Sequence, residues 1–262
     1  MFRYLKVLYI FYKAALLTNL EYRANFTIGA VLSLINVAWQ IGGVWVFFLH
    51  TEQIGDWSFY EVLLVIGLFI TFLATTEMVL YPNVQELVRH IKLGTMDFIL
   101  TKPISSQFHA TLRKIQIWKG IDLIIGIGIT LFALSQQQTS PSYAAVALFG
   151  LLCVCALVIL YSLTVFIITS AFWFVQLDNV MELLFTFFDA GRYPVTIFPG
   201  WLRILLTFVV PIAFVTTVPA AVLLGRIEPQ FALFSILLAV GLLTGSILFW
   251  QYALRHYSSA SS

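Results

Sequence analysis

Charge is the scarcest property of this sequence: Asp, Glu, Lys and Arg make up 10% of its 262 residues, against about 25% in an ordinary soluble domain. Hydrophobic residues make up 61%, among them 24 Phe, 11 Tyr and 7 Trp. The 14 basic and 12 acidic side chains cannot cover a globule of this length, which would expose large apolar patches in water and aggregate. A soluble enzyme is excluded, and a bilayer is the solvent that suits the composition. The formal net charge of +2 is too small to point to nucleic acid.

Cysteine and catalytic motifs are equally thin. Cys153 and Cys155 sit two apart in an apolar run, where helical geometry sends them to nearly opposite faces. They form neither a C-x-x-C redox motif nor half of a zinc site, and read as buried thiols. His50, His90, His109 and His256 are scattered, with no H-E-x-x-H pair and no convergent acids, so neither a metal site nor a catalytic triad is predicted. There is no G-x-x-x-x-G-K-[ST] phosphate loop. Nothing at the N-terminus resembles a cleavable signal, because the apolar run from Phe26 is too long for one and no small-residue cleavage site follows.

What is present is a set of apolar runs near the length of about 20 residues that a spanning helix needs. They cover residues 26–49, 59–80, 121–134 with an upstream turn from Ile115, 143–172 and 231–252. Basic residues set the expected orientation. Arg3, Lys6, Lys13 and Arg23 precede the first run, six more lie between the second and third, and none falls in 50–58 or 135–142. The N-terminus and the 81–120 loop are therefore expected in the cytoplasm. Arg255 places the C-terminus there too, which requires an even number of crossings. Residues 2–20 alternate Phe2, Leu5, Leu8, Tyr12 and Leu16 with Arg3, Lys6 and Lys13, the pattern of an interfacial helix within 1–25; a solvated basic tail is the alternative.

Residues 81–120 are too patterned for a simple connection. Pro82 suits a helix start, Val84, Leu87, Val88 and Ile91 fall on one face, and Asn83, Gln85, Glu86, Arg89, His90 and Lys92 are expected on the other. Gly94 stops this helix. A short element at 95–100 follows, ended by Pro103, and Ser105 or Ser106 is placed to cap a long helix running into the third span. The result is a rigid knob on which Phe98 and Leu100 could fill a groove of a soluble partner while neighbouring cations steer an acidic surface. The alternative is an interfacial loop that only reverses the chain.

The string Ile91-Lys92-Leu93-Gly94-Thr95-Met96-Asp97-Phe98-Ile99-Leu100-Thr101-Lys102-Pro103 resembles the Gly-x-Leu-Asp-x-x-Leu-x-x-Pro coupling-helix motif of bacterial ABC-2-type exporter permeases. Met96 stands where Leu is usual, a volume-conserving change. The resemblance, closest to the six-span bacterial ABC permeases, runs through nearly the whole chain. It takes in Glu21-Tyr22-Arg23, Trp57-Ser58, Arg192-Tyr193-Pro194, Pro199-Gly200-Trp201-Leu202-Arg203, Pro211, Pro219 and Gly225. It implies that Gly94, Met96, Asp97, Phe98, Leu100 and Pro103 couple the chain to a separate nucleotide-binding subunit, which would hold ATP and Mg, this chain binding no cofactor itself. It also implies a second permease, identical or related, membrane lipids as partners, and a bacterial inner-membrane location. The implied fold is one all-α permease domain over 1–262, with six transmembrane helices, an N-terminal interfacial helix and a coupling helix between spans two and three. A broken re-entrant helix pair precedes span six.

Residues 173–230 read two ways. Hydropathy and charge make 202–224 the fifth span. The resemblance makes 173–190 the fifth span and 191–230 an outer-face re-entrant segment, in which Arg192, Tyr193, Pro194, Pro199, Trp201, Arg203 and Pro211 form an outer gate or, on the plainer reading, interfacial anchors. Pro211 and Pro219 favour the second version, because each would cost a lipid-facing helix about 3 kcal/mol. Asp178 and Glu182 weigh against it. Glu77 and Asp122 could sense substrate or form a structural pair, and Asn36 and Gln40 should face protein or a pathway. Gly241 and Gly245 offer a G-x-x-x-G packing face. The expected function is an ATP-driven exporter permease for an amphipathic or lipid-like substrate, set against a non-transport scaffold or a secondary carrier.

Overall fold

The protein is described by a computed structural model covering residues 2–21, 23–138, 140–173, 186–226 and 229–257. Helix α1 (Phe2–Glu21) leads into α2 (Arg23–Phe48), and a two-residue β-hairpin pairs β1 (Gln53–Ile54) with β2 (Trp57–Ser58). Its tight turn uses Gly55 at φ 62°, a left-handed conformation that favours glycine. Helix α3 (Phe59–Val79) flows into α4 (Tyr81–Lys92), followed by α5 (Asp97–Leu100), α6 (Ser106–Leu112), a 3-10 turn (Ile117–Lys119), α7 (Gly120–Ser135) and α8 (Tyr143–Ser170). Beyond residue 185 come α9 (Gly200–Ile204), α10 (Thr217–Leu223) and α11 (Pro229–His256). Among the described residues, five helical runs are long and apolar enough to cross a membrane: Thr27–Phe48, Phe59–Lys92, Ile117–Ser135, Tyr143–Ser170 and Pro229–His256.

Helix α3 is the axis of the bundle. Val62 to Ile66, Leu68, Phe69, Ile70 and Phe72 are all buried, as expected of a helix that is hydrophobic all round. It lies antiparallel to α7 at unusually close range. A Cβ at Gly67 would stand 2.7 Å from the Thr130 backbone nitrogen, and one at Gly126 would stand 2.7 Å from that of Thr71. Thr71 and Thr130 donate their hydroxyls to the carbonyls of Gly67 and Gly126, at 2.8 and 2.9 Å. Each helix thus offers Gly-x-x-x-Thr to the other, the small-residue contact that lets backbones approach in lipid. The Gly241 and Gly245 pair behaves differently: Gly245 abuts Phe166, but nothing lies within 4 Å of a Cβ at Gly241.

The long helix expected from Ser105 or Ser106 into the third span is broken. Ser105 does cap a helix, accepting from the Phe108 backbone at 3.4 Å, but α6 ends at Leu112 and α7 starts only at Gly120. Asn83 explains the break. Its amide donates to the carbonyls of Val79 and Lys114, at 2.6 and 2.8 Å, and its Oδ1 accepts from the Lys114 backbone at 2.7 Å. The intervening residues are stapled, extended, to the α3–α4 junction, with the Gln116 backbone donating to Met78 at 2.8 Å. Asn83, expected on the polar face, is therefore 2% exposed.

The segment Gly200–Val209 and Ile212–Leu223 form a pair bent by 71°. A π turn at Leu205–Val209 ends where Pro211 removes a backbone donor. Both ends of the pair meet the hairpin. Before it, Trp57 Nε1 donates to Thr196 Oγ1 at 2.8 Å, and after it Arg226 reaches the Asp56 carbonyl at 2.8 Å and Glu61 at 2.6 Å. Its middle comes down to Gly191, against which Ile212 packs, beside Phe69, about 12 Å further along α3 than Glu61. With both ends at the hairpin and a 71° bend between its halves, the pair has the shape of a re-entrant segment more than that of a straight span over 202–224. Trp173 stacks on Phe249 and Tyr252 near the opposite end of the bundle; the chain passes from there to Thr196 at the hairpin. Within the expected fifth span, 174–185, including Asp178 and Glu182, lies outside the described residues.

Candidate functional site

The knob is built from helix α4 outward. Val84 and Leu87 bury one side of α4 in a cluster with Met96, Ile99, Ala110, Val165, Ile168 and Trp250, so the knob is seated on α8 and α11. Gly94 ends α4 at φ 65°, and the Thr95 backbone donates back to the His90 carbonyl at 2.9 Å, a glycine-dependent helix stop. The chain reverses into α5 with Met96 fully buried and Ile99 beside it. Phe98 points the other way and is 72% exposed. Leu100 packs against the buried cluster; of the two apolar side chains expected to face a partner, only Phe98 projects. Pro103 is exposed on the following loop, and Asp97 is half-buried.

Around α5 lies a polar belt. Glu86 meets Lys114 at 2.8 Å, His90 at 3.7 Å and Arg113 at 3.8 Å. His109 is buried with Nε2 2.9 Å from Lys102 Nζ and its ring edge-on to Phe11 of α1. Burial first, and then the Lys102 and Arg113 cations, push His109 down to about 4, so it is neutral at ordinary pH. Tyr4 of α1 packs edge-on against Phe108. A cleft of about 800 Å³ opens between α1, α4 and residues 113–116, where Arg89, Arg113 and Lys114 outnumber Glu86.

At the hairpin end the expected gate residues separate into two groups. Pro194 and Pro211 are buried and Tyr193 is half-buried. Arg192 is half-buried, 5.5 Å from the Phe69 ring and 3.2 Å from the exposed Asp189. Pro199, Trp201 and Arg203 instead lie exposed at the start of the bent pair, Trp201 at 69%. What joins the arms is the pair Glu61 and Arg226, which the sequence reading did not single out; they lie in different apolar runs and no spacing rule connects them. Glu61 also accepts from the Ser58 backbone at 2.9 Å, so it caps α3 and holds Arg226 at once. Glu77 and Asp122 are joined through a third residue, Lys119, at 2.5 and 3.3 Å.

Residues 34–261 match the sequence profile of a family described as ABC-2 family transporter protein. No curated protein and no solved structure matches the chain.

Proposed function

Because the chain belongs to the ABC-2 transporter family, as the membrane permease component of an ABC transporter and not its ATPase, we propose that it is the permease of an exporter driven by a separate nucleotide-binding subunit that docks on α5. One observation carries this reading: Phe98 stands exposed on a four-residue helix whose other face, Met96 and Ile99, is locked into the cluster shared with α8 and α11. An exposed aromatic anchor on a rigid mount suits a groove on a soluble partner. Force applied to it would pass directly into two spanning helices. The cations of the neighbouring cleft would favour an acidic rim on that partner.

In this reading ATP and Mg reside on the partner, two permeases face one another, and the hairpin end with its re-entrant pair faces outward as the exit. The apolar, aromatic character of the spans favours an amphipathic or lipid-like cargo. Co-purification of the full chain with its ATPase, followed by ATP hydrolysis in vesicles, tests it. Phe98→Asp should cut ATPase retention and permease-dependent hydrolysis by about tenfold or more, as for an interface hot spot, while leaving the permease folded. Leu100→Asp is the poorer probe because it also strikes the buried cluster. Unchanged retention and hydrolysis in Phe98→Asp would remove α5 as the docking element.

A further inference from the structure

Between α2, α3 and the start of α7 lies a cavity of about 310 Å³, near the lower end of the range for small-molecule sites. One wall is a polar stripe on α2, where Ser33, Asn36 and Gln40 line the space together. Gln40 Nε2 donates to Asn36 Oδ1 at 2.6 Å. Ser33 Oγ and Gln40 Oε1 are shielded from solvent and have no hydrogen-bond partner. The two oxygens lie behind the cavity surface, and Asn36 is the exposed polar group of the stripe that faces the space.

The floor supplies the charge. Glu77, Asp122 and Lys119 line the cavity, and two carboxylates against one ammonium leave one formal negative charge facing it. The Lys119 ammonium bridges both carboxylates, at 2.5 Å to Glu77 and 3.3 Å to Asp122, and lies 4.6 Å from the Trp118 ring, so the attraction for a ligand comes from the excess charge of the trio. Ile70, Leu73 and Val37 complete the walls. In so apolar a setting a net charge acts over the whole cavity.

We propose that this cavity binds an amphipathic organic cation. The positive end meets Glu77 and Asp122, a polar group near it meets Asn36, and the apolar body lies along Ile70 and Leu73. An anion of the same size would face the unbalanced carboxylate. The proposal gives the permease a cargo class, yet binding needs neither ATP nor the docking element. Its failure and the failure of the coupling reading are therefore separable.

The test uses the full chain in phosphatidylcholine nanodiscs, titrated with the ethidium cation and, for comparison, the anilinonaphthalene sulfonate anion, followed by fluorescence anisotropy. Saturable ethidium binding is expected, weakened about tenfold in Glu77→Gln, which brings the floor to neutrality, and also weakened in Gln40→Leu. Equal ethidium affinity in wild type and both variants, or tighter binding of the anion, would overturn the proposal. A second measurement guards against misfolded variants: Asn36→Cys, at an exposed position that lines the cavity, in a background with Cys153 and Cys155 replaced by Ala. The ethylammonium methanethiosulfonate should label it about tenfold faster than the ethylsulfonate, and ethidium should slow both. Equal rates without protection would leave the cavity to water alone.

Discussion

His109 sits beneath the coupling region with two cations beside it and no room for a third charge. The free imidazole titrates near 6.5, whereas this one is held down at about 4, chiefly by burial. Between those values the unfolded chain binds more protons than the folded one, so stability rises with pH across that window and is lost as pH falls from about 6.5 towards about 4. The structure around α6 should loosen first, since Phe11 and Lys102 pack on this ring. Thermal unfolding of the solubilised chain at pH 7.5, 6 and 4.5 checks this. His109→Gln should flatten the pH dependence, and an unchanged slope would mean that the ring is not buried neutral. Asn83 and Glu61 carry the other polar duties at this scale, one stapling residues 113–116, the other joining the hairpin to Arg226. Neither was legible in the sequence. A buried Asn on an amphipathic helix looks like any polar-face residue, and a partner 165 residues away leaves no local pattern.

Among the elements, the contact between α3 and α7 is the least tolerant of change. Replacing Gly67 by Ala would place a methyl 2.5 Å from Thr130 Oγ1 and 2.7 Å from its backbone nitrogen, where no side-chain rotation gives relief. The helices must part, at a cost at or above the about 1–3 kcal/mol of ordinary overpacking. Gly241→Ala, with open space around it, is the matched control and should be near neutral. Differential scanning fluorimetry in detergent compares the two; equal melting points would show that α3 and α7 yield easily. The sequence held a usable signal here, because Gly-x-x-x-Thr recurs in both helices, yet the symmetric glycine pair in α11 drew the eye first. Elements set by strong local chemistry were readable: the Gly94 stop, the Ser105 cap and the amphipathic face of α4. The length of α6 was not, because what ends it is a side chain on another helix.

For the molecule as a whole, apolar run length located the five helices among the described residues that are long enough to cross, missing chiefly the continuation of the second one to Lys92, since a bilayer leaves little freedom in the length of a helix that crosses it. Segment 191–226 defeated the same rule. It is apolar enough to cross, and its two anchors on one hairpin, together with the 71° bend, are features that run length does not carry. Orientation is open to direct measurement: a cysteine introduced at the exposed Gly200 should react in intact cells with an impermeant thiol reagent. Labelling only after the inner face is opened would invert the assignment drawn from the basic loops.

The helical run Phe59–Lys92, 34 residues long, spans about 50 Å and is gripped by α7 at Gly67 and Thr71, far from its middle. About 12 Å lies on the hairpin side of that grip and about 38 Å on the side of α5. A rod held most closely at this point is an unequal lever with the glycine contact as fulcrum, provided that its longer arm moves together with the residues stapled to it at Met78 and Asn83 and the cluster around Val84 and Leu87. A tilt that carries the Lys92 tip 3 Å, a distance typical of about one loop displacement on binding, moves the Glu61 end by about 1 Å. If the proposed partner pulls on α5, this gearing would trade travel for force at the end where Arg226 ties the bent pair to the rod.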